Sequence, residues 1–160
     1  MASLVAPLTF VAAIGAGLNA GLFFIFSVCI MAAFARLATA EGIAAMNAIN
    51  AVIQNPYFFL AFFGTALASL VLIVLAFVAG GPGSLLIAAG GVVFLVGVIA
   101  VTIAFNVPMN EQLAGISAGS AEGIEFWKRY LTDWTAWNHA RTIASMLSLA
   151  LFILGYGRAT

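Results

Sequence analysis

Four stretches of this chain are apolar almost without interruption, separated by short polar segments. A helix needs about 20 mostly apolar residues to cross a membrane. The first stretch, PLTFVAAIGAGLNAGLFFIFSVCIMAAF from Pro7 to Phe34, exceeds that. At 1.5 Å per residue it reaches about 42 Å, so it must tilt or protrude. Residues 57–78 make the second span, opening after Asn55-Pro56, where proline at the first helical position costs no hydrogen bond. AGGPGS turns the chain into a third span over 84–105, and a fourth covers 137–156. Between the first two spans, residues 38–54 read ATAEGIAAMNAINAVIQ. Asn47, Asn50 and Gln54 recur there at helical spacing opposite Ile43, Met46, Ile49 and Ile53, the pattern of an amphipathic helix on a membrane surface. Residues 106–136 form the other long connection, with ISAGSAEG as its flexible middle and a helical extension running from about Glu122 into span 4. The expected fold is all-α, a single integral membrane domain. It is an up-down four-helix bundle with an amphipathic interfacial helix between spans 1 and 2 and a helical extension before span 4.

Composition turns length into environment. A soluble domain is about 25% charged, whereas this 160-residue chain is 6% charged and 65% hydrophobic. Its surface must face membrane lipid. Basic and acidic residues balance at 5 each and no basic run occurs, which excludes nucleic acid as a partner. Cys29 is the only cysteine, so no intramolecular disulfide forms. The first apolar stretch lacks the charged leader of a signal peptide and is expected to be retained as a span. Arg36, Lys128, Arg129 and Arg141 fall on the side of the two long connections, shared with Glu111, Glu122, Glu125 and Asp133; only Arg158 falls on the other. The positive-inside rule then makes both connections cytoplasmic and the termini external, in a plasma or inner membrane.

Against this background the polar residues stand out. Residues 134–142 read WTAWNHART, at the mouth of an apolar helix. On a continuous helix Tyr130, Trp134, Trp137 and Arg141 recur at spacings of four, three and four. Asn138 shares that face and His139 borders it. An arginine inside hydrocarbon costs about 2.5–3.5 kcal/mol at the centre, less at an edge where it can snorkel. One reading is therefore an interface anchor, with tryptophans at headgroup depth and Arg141 reaching for phosphate. A second polar group argues for more: Asn106, Asn110 and Glu111 surround Pro108 at the end of span 3. Proline should break or kink the helix there, with Asn106 capping the new turn. The end of span 3 and the start of span 4 lie on one side of the bundle, so the clusters can converge, with Arg141 and Glu111 as the expected ion pair. Asn19 sits mid-span in GAGLNAG, where a carboxamide needs a partner and Gly17 and Gly21 allow a helix to approach closely. It either fixes packing or floors a pocket. Gly90, Gly91 and Gly97 are expected to serve close packing.

One histidine and one cysteine are too few for a zinc or copper site within a monomer. No dinucleotide fingerprint or nucleophile elbow is present, and a haem on His139 alone is left open. What remains is a pocket at the membrane edge, walled by aromatics and furnished with Asn, Arg, His and Glu.

Three segments carry a resemblance: GLNAGLFFIFS in span 1, NVPMNEQL after span 3, and W-x6-W-x2-W-N-H-A-R from Trp127 through Trp134 and Trp137 to Arg141. Together they resemble the anthrone oxygenase-like family of small four-helix membrane proteins. The resemblance implies oxidation of anthrones to anthraquinones with dioxygen as co-substrate and neither metal nor flavin. For such chemistry, residue types suggest Trp134 and Trp137 as ring platforms, with Tyr130 beside them. Arg141 and Asn138 are the candidate oxyanion donors, and His139 or Glu111 the candidate base. Asn106 and Asn110 would orient substrate. The hydrophobic aromatic ligand is one expected partner; a homo-oligomer is left open. The alternative is a non-enzymatic helper subunit or a lipid- or quinone-binding module. The two readings differ in one geometric respect: the enzyme needs Arg141, Asn138 and Asn106 or Asn110 turned inward together.

Overall fold

The computed structural model describes residues 2–159. It contains five helices: α1 (residues 2–34), α2 (Thr39–Val52), α3 (Pro56–Ala79), α4 (Ser84–Gly115) and α5 (Ala121–Ala159). No strand occurs among the described residues. Four helices, all but α2, are long and apolar enough to cross a membrane. Asn55 starts α3 by accepting from the main-chain N–H groups of Tyr57 and Phe58, both at 3.1 Å, with Pro56 at the first helical position. The turn between α3 and α4 places Gly80, Gly81 and Gly83 at positive φ, which side-chain-bearing residues avoid.

The four long helices pack in a ring: α1 touches α3 and α5, and α4 touches α3 and α5. Contacts pair early residues of one helix with late residues of its neighbour, as in antiparallel packing. Phe10 meets Tyr156, Asn19 meets the Ala61 carbonyl, and Ser148 donates to the Gly90 carbonyl at 2.8 Å. Without water between them, membrane helices associate through close van der Waals packing, which small residues permit. Here Gly97 abuts Ala144, Gly91 abuts Ile73 and the Ser69 carbonyl, and Gly90 abuts Phe152. On α1 the close approach falls at Gly15, against Thr65; Gly21 has open space and Gly17 meets only Leu149 loosely. The expected Gly17/Gly21 face is thus corrected to Gly15 with its buried neighbours Ala12 and Ala16.

Two helices run longer than expected. At 32 and 39 residues, α4 and α5 extend about 48 and 58 Å against a hydrocarbon core of about 30 Å. The second connection therefore shrinks to residues 116–120, with Ser120 capping α5 through the N–H of Gly123. Pro108 does not end α4. Its ring would crowd the carbonyl of Ala104 four residues back, but Ala104 lies in a π-helical segment, Thr102–Asn106, whose wider turn makes room. Asn106 accordingly makes no cap. Further π segments interrupt α1 at Phe26–Ile30, α4 at Leu95–Ala100 and α5 at Tyr130–Trp134.

Buried apolar side chains form two clusters. One lies within the ring of long helices and includes Ala12, Ala16, Leu72, Phe94, Val98 and Phe152. The other joins α2 to the extended ends of α4 and α5, through Ile43, Met46, Leu113, Phe126, Trp127, Tyr130 and Trp134. Ile43 and Met46 thus face protein. Asn50 is only half-buried, yet its amide nitrogen is shielded from solvent, so the polar side of α2 turns partly inward.

Candidate functional site

Where the two apolar clusters meet, a layer of polar side chains crosses the molecule. Asn138 is fully buried on α5. Its amide donates to the Phe23 carbonyl at 2.7 Å and to Ser27 Oγ at 2.8 Å. Its oxygen accepts from Arg141 Nη2 at 2.8 Å. Thr142 Oγ1 donates to the Asn138 carbonyl and lies 3.1 Å from Ser27 Oγ. From α4, Thr102 Oγ1 accepts from Arg141 Nη1 at 3.3 Å, and Asn106 donates to the Trp134 carbonyl at 3.2 Å. One turn further along α4, Asn110 Oδ1 accepts from both Tyr130 Oη at 2.6 Å and Trp134 Nε1 at 2.8 Å.

Three π segments, one each from α1, α4 and α5, meet at this layer: Ser27, Asn106 and Trp134 all belong to them. A π turn inserts one residue and re-aims the side chains that follow it. On α5 the buried stripe runs Tyr130, Trp134, Asn138, Arg141, Ser145 and Ser148, so Asn138 rather than Trp137 takes the inward place. Trp137 is displaced to the flank, where its ring stacks on Phe105 at 3.6 Å with 5° between planes.

Arg141 is the centre of the layer. It is 6% exposed, which rules out the anchor reading in which its guanidinium reaches outward. The expected partner is absent: Glu111 is exposed, and the ion pair among the described residues is Lys128 with Glu125 on the surface at 3.5 Å. The guanidinium is held by neutral oxygens and by aromatic faces, 4.3 Å from the Phe23 ring centre and 5.2 Å from that of Trp134. Electron-rich ring faces attract a cation but do not neutralise it. Arg141 Nε and Asn106 Oδ1 are shielded from solvent and have no hydrogen-bond partner. A buried cation without a counter-charge is costly. The layer therefore has the electrostatics of an anion site.

Of the other sequence-derived candidates, His139 is exposed and takes no part in these hydrogen bonds, because it sits about 100° around α5 from Asn138. The structure thus separates both candidate bases, His139 and Glu111, from Arg141. Asn19 donates to the carbonyls of Gly15 at 2.9 Å and Ala61 at 3.1 Å, tying α1 to α3 within the bundle. It serves packing. Phe23, Ser27, Thr102 and Thr142 escaped the sequence reading. A serine or threonine in an apolar helix ordinarily bonds its own preceding turn, so it carries little signal. Two surface cavities lie elsewhere, one of about 240 Å³ beside the α3–α4 turn and one along Leu4, Pro7 and Val71.

Residues 58–151, more than half of the chain, match the family model described as anthrone oxygenase. The chain belongs to the anthrone oxygenase family. No curated protein and no solved structure matches it. The range matched to anthrone oxygenase covers the α4 and α5 contributions to the polar layer, Thr102, Asn106, Asn110, Trp134, Asn138 and Arg141, and stops short of α1, which adds Phe23 and Ser27.

Proposed function

We propose that this chain is a membrane-embedded oxygenase that binds a flat, lipid-soluble anthrone-type aromatic as its anion and lets it react with dioxygen. The observation that carries the reading is Arg141, buried without a carboxylate, its Nε unpartnered and its plane flanked by aromatic rings. An anthrone carries an acidic C–H between two aromatic rings, and losing that proton places negative charge on its oxygen. Arg141, with Asn138 holding it in place, stabilises that oxygen. The proton leaves to water while the site is open to take in the ligand, because the network holds no carboxylate or histidine of its own. The electron-rich ring carbon then bonds to dioxygen, giving a hydroperoxide after protonation. Loss of water from it leaves the anthraquinone: one anthrone and one dioxygen become one quinone and one water. Trp134 offers a ring face beside the cation, and Asn106 Oδ1 offers an acceptor for a substrate hydroxyl.

Cofactor independence belongs to the same proposal, supported by a chain whose single histidine and single cysteine cannot supply the three or four ligands of an ordinary zinc site. So does the arrangement in the bilayer: an up-down bundle with α2 at the interface, the two connections cytoplasmic and the termini external. The test is dioxygen uptake by detergent-purified, metal-analysed protein given emodin anthrone. Uptake above the spontaneous rate, with stoichiometric quinone, supports the reading. No acceleration, with the aromatic still bound, would make the chain a binding module instead.

A further inference from the structure

The polar layer is sealed, yet it holds an unpartnered donor, Arg141 Nε, and an unpartnered acceptor, Asn106 Oδ1. A ligand reaching them must open a wall. The seam between α4 and α5 shows which. Three rungs cross it in antiparallel order: Thr102 with Arg141, Phe105 with Trp137, and Asn106 with the Trp134 carbonyl. The outer two rungs are hydrogen bonds to buried groups. The middle one is a parallel ring stack without a hydrogen bond. It is also the rung that faces outward, since Phe105 is 38% exposed and Trp137 is half-buried.

We infer that the Phe105–Trp137 stack is the lateral gate and ring-selecting element of the site, through which a planar polycyclic aromatic passes from the lipid to Arg141. This rests on the function proposed above. The stack's separation, 3.6 Å with planes 5° apart, is the thickness of one aromatic ring system. A flat ligand can take the place of Phe105 on the face of Trp137 and exchange one stacking contact for a larger one. Opening the rung breaks no hydrogen bond, whereas parting either neighbour would strand a buried polar group. A ligand dissolved among lipid chains meets this seam directly, because Ile103 beside it is 64% exposed and apolar. Trp137 is then a platform that touches substrate on its way in, and Phe105 the ring that yields.

The test is equilibrium and stopped-flow binding of emodin anthrone, under argon, to full-length protein in lipid nanodiscs. Trp137→Ala should weaken binding about tenfold or more, the scale of one lost aromatic platform, while Trp137→Phe restores most of it. Phe105→Ala should bind at least as tightly as wild type and associate faster. Ile103→Ala, which alters only the lipid-facing surface, should match wild type in both affinity and rate. Unchanged affinity in Trp137→Ala together with an unchanged association rate in Phe105→Ala would overturn the gate while leaving the oxygenase reading intact. If Trp137→Ala fails to fold, the Phe105→Ala rate and the Trp137→Phe affinity decide the matter alone. Absence of any binding by wild type would remove both the function and the gate.

Discussion

Both apolar regions of this molecule bury aromatic rings, Phe62, Phe94 and Phe152 among them in the first, but they differ in what surrounds those rings. The ring of long helices packs through Gly15, Gly90, Gly91 and Gly97, with Ala12, Ala16 and Ala68 buried around them. The cap formed by α2 and the far ends of α4 and α5 packs through large rings and methionines: Trp127, Tyr130 and Trp134 stack in series at 5.5 and 5.6 Å, in one buried cluster with Met31 and Met46. Within lipid, burying an apolar side chain against another gains little over burying it in lipid tails, so small residues that bring backbones together carry the packing. In water, by contrast, large apolar surfaces drive association themselves. The polar layer around Arg141 lies between these two clusters. There the Arg141 cation sits against the rings of Phe23 and Trp134.

That contrast can be broken at either end. The largest structural effect is expected for Trp127→Ala, which removes a ring packed on Gly42 of α2 and costs about 3–5 kcal/mol. Hydrogen exchange should show α2 opening while the long helices stay protected; loss of protection everywhere at once would mean that cap and ring are one unit. Arg141→Met should lower anthrone turnover about 10²–10³-fold, as loss of an oxyanion donor does. Its thermal stability should stay close to wild type, since removing a buried charge without a carboxylate offsets leaving the buried Asn138 Oδ1 without its donor. A destabilised but active variant would show the layer to be structural.

In the ring, Gly97→Val drives a branched side chain into Ala144 and should cost about 1–3 kcal/mol by overpacking, read as a lower melting temperature in detergent. Tyr130→Phe leaves Asn110 Oδ1 with one donor, Trp134 Nε1, and should cost about 1 kcal/mol, with little effect on the bundle helices. Smallest of all, Lys128→Ala breaks only a solvent-exposed pair with Glu125 and should stay within about 0.5 kcal/mol of wild type.

Much of this was legible in the chain. Unbroken apolar runs mark the four spans, and Asn55-Pro56 marks the start of α3. The polar residues at 106 and 110 and at 134, 138 and 141 meet as the spacing of spans 3 and 4 implies. The π segments were not legible, because a wide turn depends on tertiary contacts and leaves no local signature. They carried α4 through Pro108 and moved Trp137 off the inward face. The missing carboxylate was hidden for a related reason: with α4 continuous, Glu111 lies beyond the layer and on its exposed side. Ser27 and Thr102 look like ordinary residues of apolar helices until Asn138 and Arg141 are seen to reach them.

The central claim, that Arg141 makes the layer an anion site for a flat aromatic, is tested most directly by the visible spectrum of emodin bound to the protein in nanodiscs. A hydroxyanthraquinone absorbs further to the red once ionised. Wild type should bind the ionised form at a pH where free emodin is neutral and shift its band to the red, and Arg141→Met should abolish that shift. An identical spectrum in both proteins would contradict the account.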